Sequence, residues 1–313
     1  MSKKATRVSF GEQLAALGET NPEIVVFDAD LAKSTQSLMF GSKYPERFFE
    51  MGIQEQNMIG AAAGMATMGK KPFICSFSIF VTGRFETIRM SIAYADVPVT
   101  IVGTHCGIGI GEDGYSQMAL EDISIMRSLA NMTVIQPADD AETKAAVRFL
   151  AEYKHPAFLR LTRQGVEQVH GEDYTFEFGK ADELKTGSDG VIFATGAVVY
   201  NALKAAEQLE SEGVNLRVVN IHTIKPLDEE HIIRAAKETG FVLTIEDHSI
   251  IGGLGSAVAE VLSEHAPTPM KRIGIYDTFG ESGTPNGLYE KYKLDVKGLY
   301  EQIKASVQQP AVA

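Results

Sequence analysis

The stretch Gln54–Phe77, QEQNMIGAAAGMATMGKKPFICSF, decides how the chain is read. Apolar and small residues run through its first part and predict a helix over Gln54–Met68, and KPFICSF then supplies the short apolar run of a buried strand, Lys71–Phe77. The same exchange repeats on both sides. Strands are expected at Glu23–Ala29, Val97–His105, Met132–Ala138 and Pro156–Thr162, with helices around Phe10–Leu17, Phe85–Ala95, Leu120–Ala130 and Asp140–Ala151 between them. This alternation is the signature of an α/β fold with a mainly parallel sheet covered on both faces by helices.

The pattern lapses near Gln164–Gly190 into a polar, acidic, glycine-bearing connector and then resumes. GVIFATGA, LRVVNIHTI, FVLTIED and MKRIGIYD read as strands, with helices near Asn201–Ser211, Glu229–Ala236 and Ser256–Glu264. Two domains are expected, 1–168 and a smaller α/β domain 187–313, joined by a linker at 169–186. A length of 313 residues with 44% apolar residues is enough for two real cores.

Composition narrows the function. No window approaches the 18 or more apolar residues of a membrane span, and the start MSKKATRVSFGEQ lacks the apolar core of a signal peptide, so a cytoplasmic protein is the expectation. Two cysteines, Cys75 and Cys106, form neither a disulfide framework nor a metal pattern. The formal charge of −12, from 29 basic against 41 acidic residues, repels a phosphate backbone, which argues against nucleic acid as a partner. An anionic small molecule needs specific arginines or lysines that reverse the field locally.

GIGIGEDG (Gly107–Gly114) contains a formal G-x-G-x-x-G at Gly109, Gly111 and Gly114. A dinucleotide reading fails on charge, because Glu112 and Asp113 face the place where a pyrophosphate would sit. A tight structural turn, or a loop offering acidic and backbone groups to a polyhydroxylated ligand, both remain open. No nucleophile elbow, P-loop or H-E-x-x-H pair occurs, so hydrolase and P-loop chemistry have no anchor. His105 stands near Asp113 in one loop, yet a lone histidine at a strand end is commonly structural. Phe77, Phe80 and Phe85 partly fit a helix face and read first as core.

Glu55 is the one formally charged side chain in Met51–Gly64. Its helix is apolar almost all round (Met58, Ile59, Ala61, Ala62, Ala63, Met65), which predicts burial on several faces. In the first turn a carboxylate gains up to about 1 kcal/mol from the helix dipole, so capping explains it. A carboxyl beside so many alanines also invites a ligand that needs a strong hydrogen bond in a dry place. On the residues alone both readings stand.

Longer motifs carry a resemblance. GIQEQNMIGAAAGMA, KPFICSFSIFVTGRFETIRMS, THCGIGIGEDGYSQMALEDISIMRSL, VIQPADDAET and PAFLRLTRQG resemble the pyrimidine-binding domain of transketolases, and IHTIKPLD with IEDHSIIGGLGSAVAE is similar to their C-terminal domain. The likeness implies a thiamine diphosphate enzyme. It implies that Glu55 hydrogen-bonds N1′ of the aminopyrimidine ring, favouring the imino form at the 4′ nitrogen that takes the thiazolium C2 proton. Phe77 and Phe80 match aromatics that pack on that ring, while a third aromatic of some relatives is Gly83 here. Gln117 stands where microbial and plant transketolases have a histidine near the 4′-amino group, and DGYSQMALED is similar to the animal-type enzymes. The resemblance further implies that His105 and Asp113 contact the donor sugar, and that Arg7, Ser34 and Arg163, with His105, bind the substrate phosphate. Asp30 matches an acidic residue near Arg7 at the cofactor and substrate channel.

Full-length transketolases also carry a domain that holds the diphosphate through Mg²⁺ or Ca²⁺ with a GDG…N motif, and no GDG occurs here. The resemblance therefore implies the C-terminal subunit of a split transketolase with no metal ligand of its own. An N-terminal partner subunit would supply the metal, in an α2β2 assembly that moves a two-carbon ketol unit between sugar phosphates of the pentose phosphate pathway. A deoxyxylulose-5-phosphate synthase-like chain and the β subunit of a 2-oxoacid dehydrogenase E1 component share this domain pair. The former is normally one long chain, and GEDGYSQMALED resembles transketolase more closely. The phosphate set Arg7, Ser34 and Arg163 with the THCGIGIGEDG loop weighs against the latter, and an intact Glu55, aromatic pair and phosphate set weigh against a non-catalytic scaffold.

Overall fold

A computed structural model describes residues 3–308 except Glu172. Its first sheet has seven strands in the order Thr223–Lys225, Thr133–Ile135, Ala157–Arg160, Thr100–Thr104, Lys71–Phe77, Ile24–Asp28, Phe48–Glu50. Six run parallel, and Thr223–Lys225 pairs antiparallel with Thr133–Ile135. Every residue of Ile24–Asp28 and Thr100–Thr104 is buried, as strands covered by helices on both faces require. Register aligns their carboxyl ends: Asp28 pairs with Cys75 and with Glu50, and Phe77 with Thr104.

The second sheet has five strands, Met270–Ile275, Val242–Ser249, Val191–Ala194, Arg217–Asn220 and Asp182–Lys185, the last antiparallel at an edge. The apolar run LRVVNIHTI thus divides, with Arg217–Asn220 in the second sheet and Thr223–Lys225 returning to the first. The connecting segment is built into the fold as well. It supplies the edge strand Asp182–Lys185 and the side chain of His170, held between Asp139 at 3.0 Å and Asp182 at 2.9 Å. One apolar cluster runs through both halves, joining Val25, Phe27, Met58 and Ile74 to Val191, Phe193 and Leu254.

Local chemistry sets the helix ends. Asp139 accepts the Glu142 N–H and starts the helix Asp140–Glu152, and Asp228 accepts the His231 N–H to start Glu229–Thr239. The expected helix Phe85–Ala95 is a single turn, Phe85–Ile88, that widens into a π-turn over Arg89–Ala93. The helix Glu55–Thr67 corrects one expectation. Only Glu55, Met58, Ile59, Ala62, Ala63 and Ala66 are buried, while Gln56, Asn57, Gly60 and Gly64 are exposed. A side chain added at Gly60 or Gly64 meets nothing within 4 Å, so this face is uncovered in the chain by itself. No helix among the described residues is long and apolar enough to cross a membrane.

Candidate active site

Ile24–Asp28 has Phe48–Glu50 on one side and Lys71–Phe77 on the other, so the chain reverses its direction of travel across the sheet there. In open α/β sheets the crevice beyond the carboxyl ends of strands at such a reversal is the ligand site. Asp28, Glu50 and Phe77 end strands at this edge, and His105 follows Thr104 directly. Glu55 opens the helix that comes after Glu50 and is 4% exposed. Its Oε1 accepts the Ser76 hydroxyl at 3.2 Å.

The strand residue after Ser76 opens an aromatic group. Phe77 stacks on Phe80, with ring centroids 5.6 Å apart and planes 12° from parallel. His105 stacks on Phe77, with centroids at 3.7 Å. His105 is a non-glycine residue at φ +60°, a conformation that costs on the order of 1 kcal/mol or more and persists where neighbours over-determine it. Its Nδ1 lies 2.9 Å from Thr104 Oγ1. Burial, reinforced by the charges of Arg7 and Arg163, pushes its pKa down to about 3. The imidazole is therefore neutral near pH 7 and serves as a hydrogen-bonding group rather than a cation.

Positive charge comes from the two arginines. Arg7 is half-buried and donates to the Ser34 carbonyl, and its own pKa is lowered by burial and by the charge of Arg163. Arg163 donates to the Ile110 carbonyl at 2.7 Å and to Glu112 at 3.1 Å. Two guanidinium groups close enough to repel, one of them paired with Glu112, beside a neutral histidine make a local positive field on a chain of net charge −12.

Two residues that sequence reasoning passed over organise this edge. Asp28, fully buried, accepts the Leu31 N–H and the hydroxyls of Thr35 and Ser37 at 2.7, 2.7 and 2.8 Å. Those bonds fold the 30–37 segment back on the strand and bring the Ser34 carbonyl to Arg7. Burial lifts the Asp28 carboxyl to about 6, and the hydrogen bonds only partly offset it. Ser76, next to Phe77, is the other. Its signal was weak, since a serine inside an apolar strand marks a polar contact without naming the partner.

The remaining expected residues stand apart from the Glu55 cluster. Asp30 is exposed at φ +64°, and its N–H donates to Glu50 Oε1 at 2.6 Å; among the described residues no ion pair joins it to Arg7. Asp113 is exposed on the glycine loop, and Gln117 accepts the Ser116 hydroxyl at 2.6 Å. No hydrogen bond ties either to Glu55, Phe77 or His105. The loop enters short 3-10 turns, Ile108–Asp113 and Tyr115–Gln117, rather than the long helix a dinucleotide site needs. Among the described residues no three His, Cys, Asp or Glu side chains group to hold a metal ion. A cavity of about 1020 Å³ lies between Gln164, Tyr200 and Tyr289.

Known proteins match this architecture. Residues 2–168 match the family described as transketolase, pyrimidine binding domain, and residues 179–299 match transketolase, C-terminal domain. The chain is 48% identical to a protein of Methanocaldococcus jannaschii named putative transketolase C-terminal section, over 96% of this chain and 95% of that one. It is 41% identical to the 6-deoxy-6-sulfo-D-fructose transketolase subunit SqwH of Clostridium sp. strain MSTE9, over 94% and 91% of the two chains. A solved structure described as a split gene transketolase, inactive beta4 tetramer, superimposes with a TM-score of 0.90 at 48% identity, covering 97% of this chain and 98% of that one.

Proposed function

The chain belongs to the transketolase family, as one subunit of a split enzyme, and on that premise we propose that it builds the pyrimidine half of a thiamine diphosphate site for two-carbon ketol transfer between sugars carrying a terminal anion. The observation that carries the reading is Glu55: a 4%-exposed carboxylate at a helix start, bonded by Ser76, the strand residue that precedes Phe77 of the Phe77–Phe80 stack. A buried acid beside a flat apolar wall fits an aminopyrimidine ring. When bound, thiamine diphosphate supplies the electron sink for cleavage beside a carbonyl.

The chain's own residues do the rest. Glu55 would hydrogen-bond N1′ and hold the proton there, and Phe77 with Phe80 would pack on the ring. His105, neutral, offers a hydrogen bond to the donor sugar, with Asp113 and Gln117 on the loop that follows. Arg7 and Arg163 take the terminal anion. A phosphate or a sulfonate satisfies the same two guanidinium groups, and the kinship to a subunit named for a sulfo-sugar keeps both substrate classes in the proposal, the pentose phosphates among them. Diphosphate and Mg²⁺ belong to an N-terminal partner subunit in an α2β2 enzyme. The uncovered helix face at Gly60 and Gly64, flanked by Ile53 at 76% and Met68 at 79% exposure, supports association with further chains.

The test is reconstitution. The chain alone should transfer no ketol unit, and adding the N-terminal subunit, thiamine diphosphate and Mg²⁺ should restore transfer. Glu55→Gln should abolish turnover in an assembly that still forms. Full activity of the lone chain, or turnover surviving in that variant, refutes the assignment.

A further inference from the structure

The glycine loop carries Asp113, and its backbone is fitted closely against residues of the second domain. Its base is closed by the Gly107 N–H donating to the Ala119 carbonyl at 3.0 Å. Asp247, on the second-domain strand Val242–Ser249 and 2% exposed, then grips it. Asp247 Oδ1 accepts the Ile108 N–H at 2.9 Å, and Oδ2 accepts the Tyr289 hydroxyl at 2.6 Å. The glycines are the contact surface. A Cβ at Gly107 would lie 2.1 Å from Asp247 Oδ2, one at Gly111 2.9 Å from Pro285 Cδ, and one at Gly114 2.5 Å from Ser282 Oγ. All three have φ between +70° and +83°, so a side chain there is strained by backbone as well as crowded by neighbours.

We infer that the second domain is the template for the loop carrying Asp113, with Asp247 as its positioning residue and Tyr289 holding Asp247 in place. The inference rests on the proposed transketolase reading for what the loop is positioned to meet. Asp247 touches no substrate. It fixes the Ile108 N–H, and with it the turn from His105 to Asp113, at the mouth of the site. An unanchored loop presents Asp113 in the right place for only part of the time, which weakens donor binding in proportion.

The experiment uses three variants of the chain, Asp247→Ala, Asp247→Asn and Tyr289→Phe, each measured by amide hydrogen exchange and, after reconstitution with the N-terminal subunit, by steady-state kinetics. Asp247→Ala should speed exchange across Ile108–Gly114 and raise the donor KM roughly 10- to 100-fold, the worth of a buried hydrogen bond to a charged group, with a smaller effect on kcat. Asp247→Asn, which keeps an acceptor for Ile108, should recover most of both. Should Asp247→Ala not fold, Tyr289→Phe preserves the ring packing and should show the same effects at reduced size. Exchange in the loop unchanged in Asp247→Ala and Tyr289→Phe overturns the inference, and so does faster exchange with an unchanged donor KM. If the unaltered reconstituted enzyme transfers no ketol unit, the functional reading fails instead, and the exchange data alone decide whether Asp247 holds the loop.

Discussion

Replacing Arg160 by methionine tests how the two domains are joined. Arg160 ends the strand Ala157–Arg160 with its side chain wholly buried, and its Nε lies 2.9 and 2.8 Å from the two oxygens of Asp122, also wholly buried. Its Nη2 reaches out of its own domain to the Asp247 carbonyl at 3.1 Å and back to the Ala119 carbonyl at 2.9 Å. Without it, Asp122 keeps only the Ser78 hydroxyl at 2.6 Å and the Ile123 N–H, with His248 at 3.8 Å, and two buried carbonyls lose a donor. Removing one partner of a buried ion pair costs about 3–5 kcal/mol. Unfolding entropy for a chain of this length is roughly 0.7 kcal/mol per degree, so Tm should fall by about 4–7 °C. The assay is thermal unfolding followed by circular dichroism, with Asp122→Leu added as the second arm of a cycle. Because an apolar pair of similar volume is often as stable as the ions it replaces, the double variant should regain most of the loss. An Arg160→Met melting point within about 1 °C of the unaltered chain refutes the reasoning, as does a double variant no better than the single one.

Arg163→Gln should raise KM for phosphorylated donors about tenfold or more with little change in kcat, because it binds a group remote from the reacting bond; a kcat loss with unchanged KM counts against an anion role. His170 gives the chain an alkaline weakness. Burial pulls its pKa down, but hydrogen bonds to Asp139 and Asp182 and the charge of Glu142 outweigh that and lift it from 6.5 to about 10. A raised folded pKa makes its contribution complete below pH 6.5 and lost progressively as pH rises through 10, so Tm of the unaltered chain should decline over that window and converge on that of His170→Gln; a constant gap between the two refutes it. Gly253→Ala should lower Tm by a few degrees, since its Cβ would lie 2.0 Å from Glu246 Oε2, whose carboxylate accepts the Leu254 and Gly255 N–H groups at 2.8 Å each. Melting within 1 °C would show that the carboxylate can shift without loss.

The parallel sheet was legible because its strands are buried on both faces and so read as unbroken apolar runs, and the helix at Gln54–Met68 came within one residue at each end. What escaped has physical causes. Phe48–Glu50 is three residues long, too short for any period to register. Asp182–Lys185 is an edge strand with no fully buried residue, and DELK carries a single apolar residue, Leu184, too little for a period to register. LRVVNIHTI is continuous in hydropathy, and only tertiary pairing separates Val219, beside Glu183, from Thr223, beside Ile135. The glycine loop was recognised as a motif but not understood. The atoms that forbid side chains at Gly107, Gly111 and Gly114 belong to Asp247, Pro285 and Ser282, more than 130 residues away in the chain.

Glu55 was left by its sequence between capping and catalysis, and the geometry bears on that choice. The helix begins at Glu55 after Gln54, and neither side chain takes up an N–H of the first turn. The dipole gain of a first-turn acid, up to about 1 kcal/mol, remains, but the capping bond that would add to it is absent. Glu55 instead sends its carboxylate sideways to Ser76, on the neighbouring strand, at the sheet edge where Phe77, Phe80 and His105 stack. Removing a carboxylate from water without satisfying the helix start is a poor bargain for folding alone. On the proposed reading, a heteroaromatic ring packed on Phe77 would offer a nitrogen to the free lone pairs and offset that cost, so Glu55→Gln should leave folding nearly untouched and remove turnover.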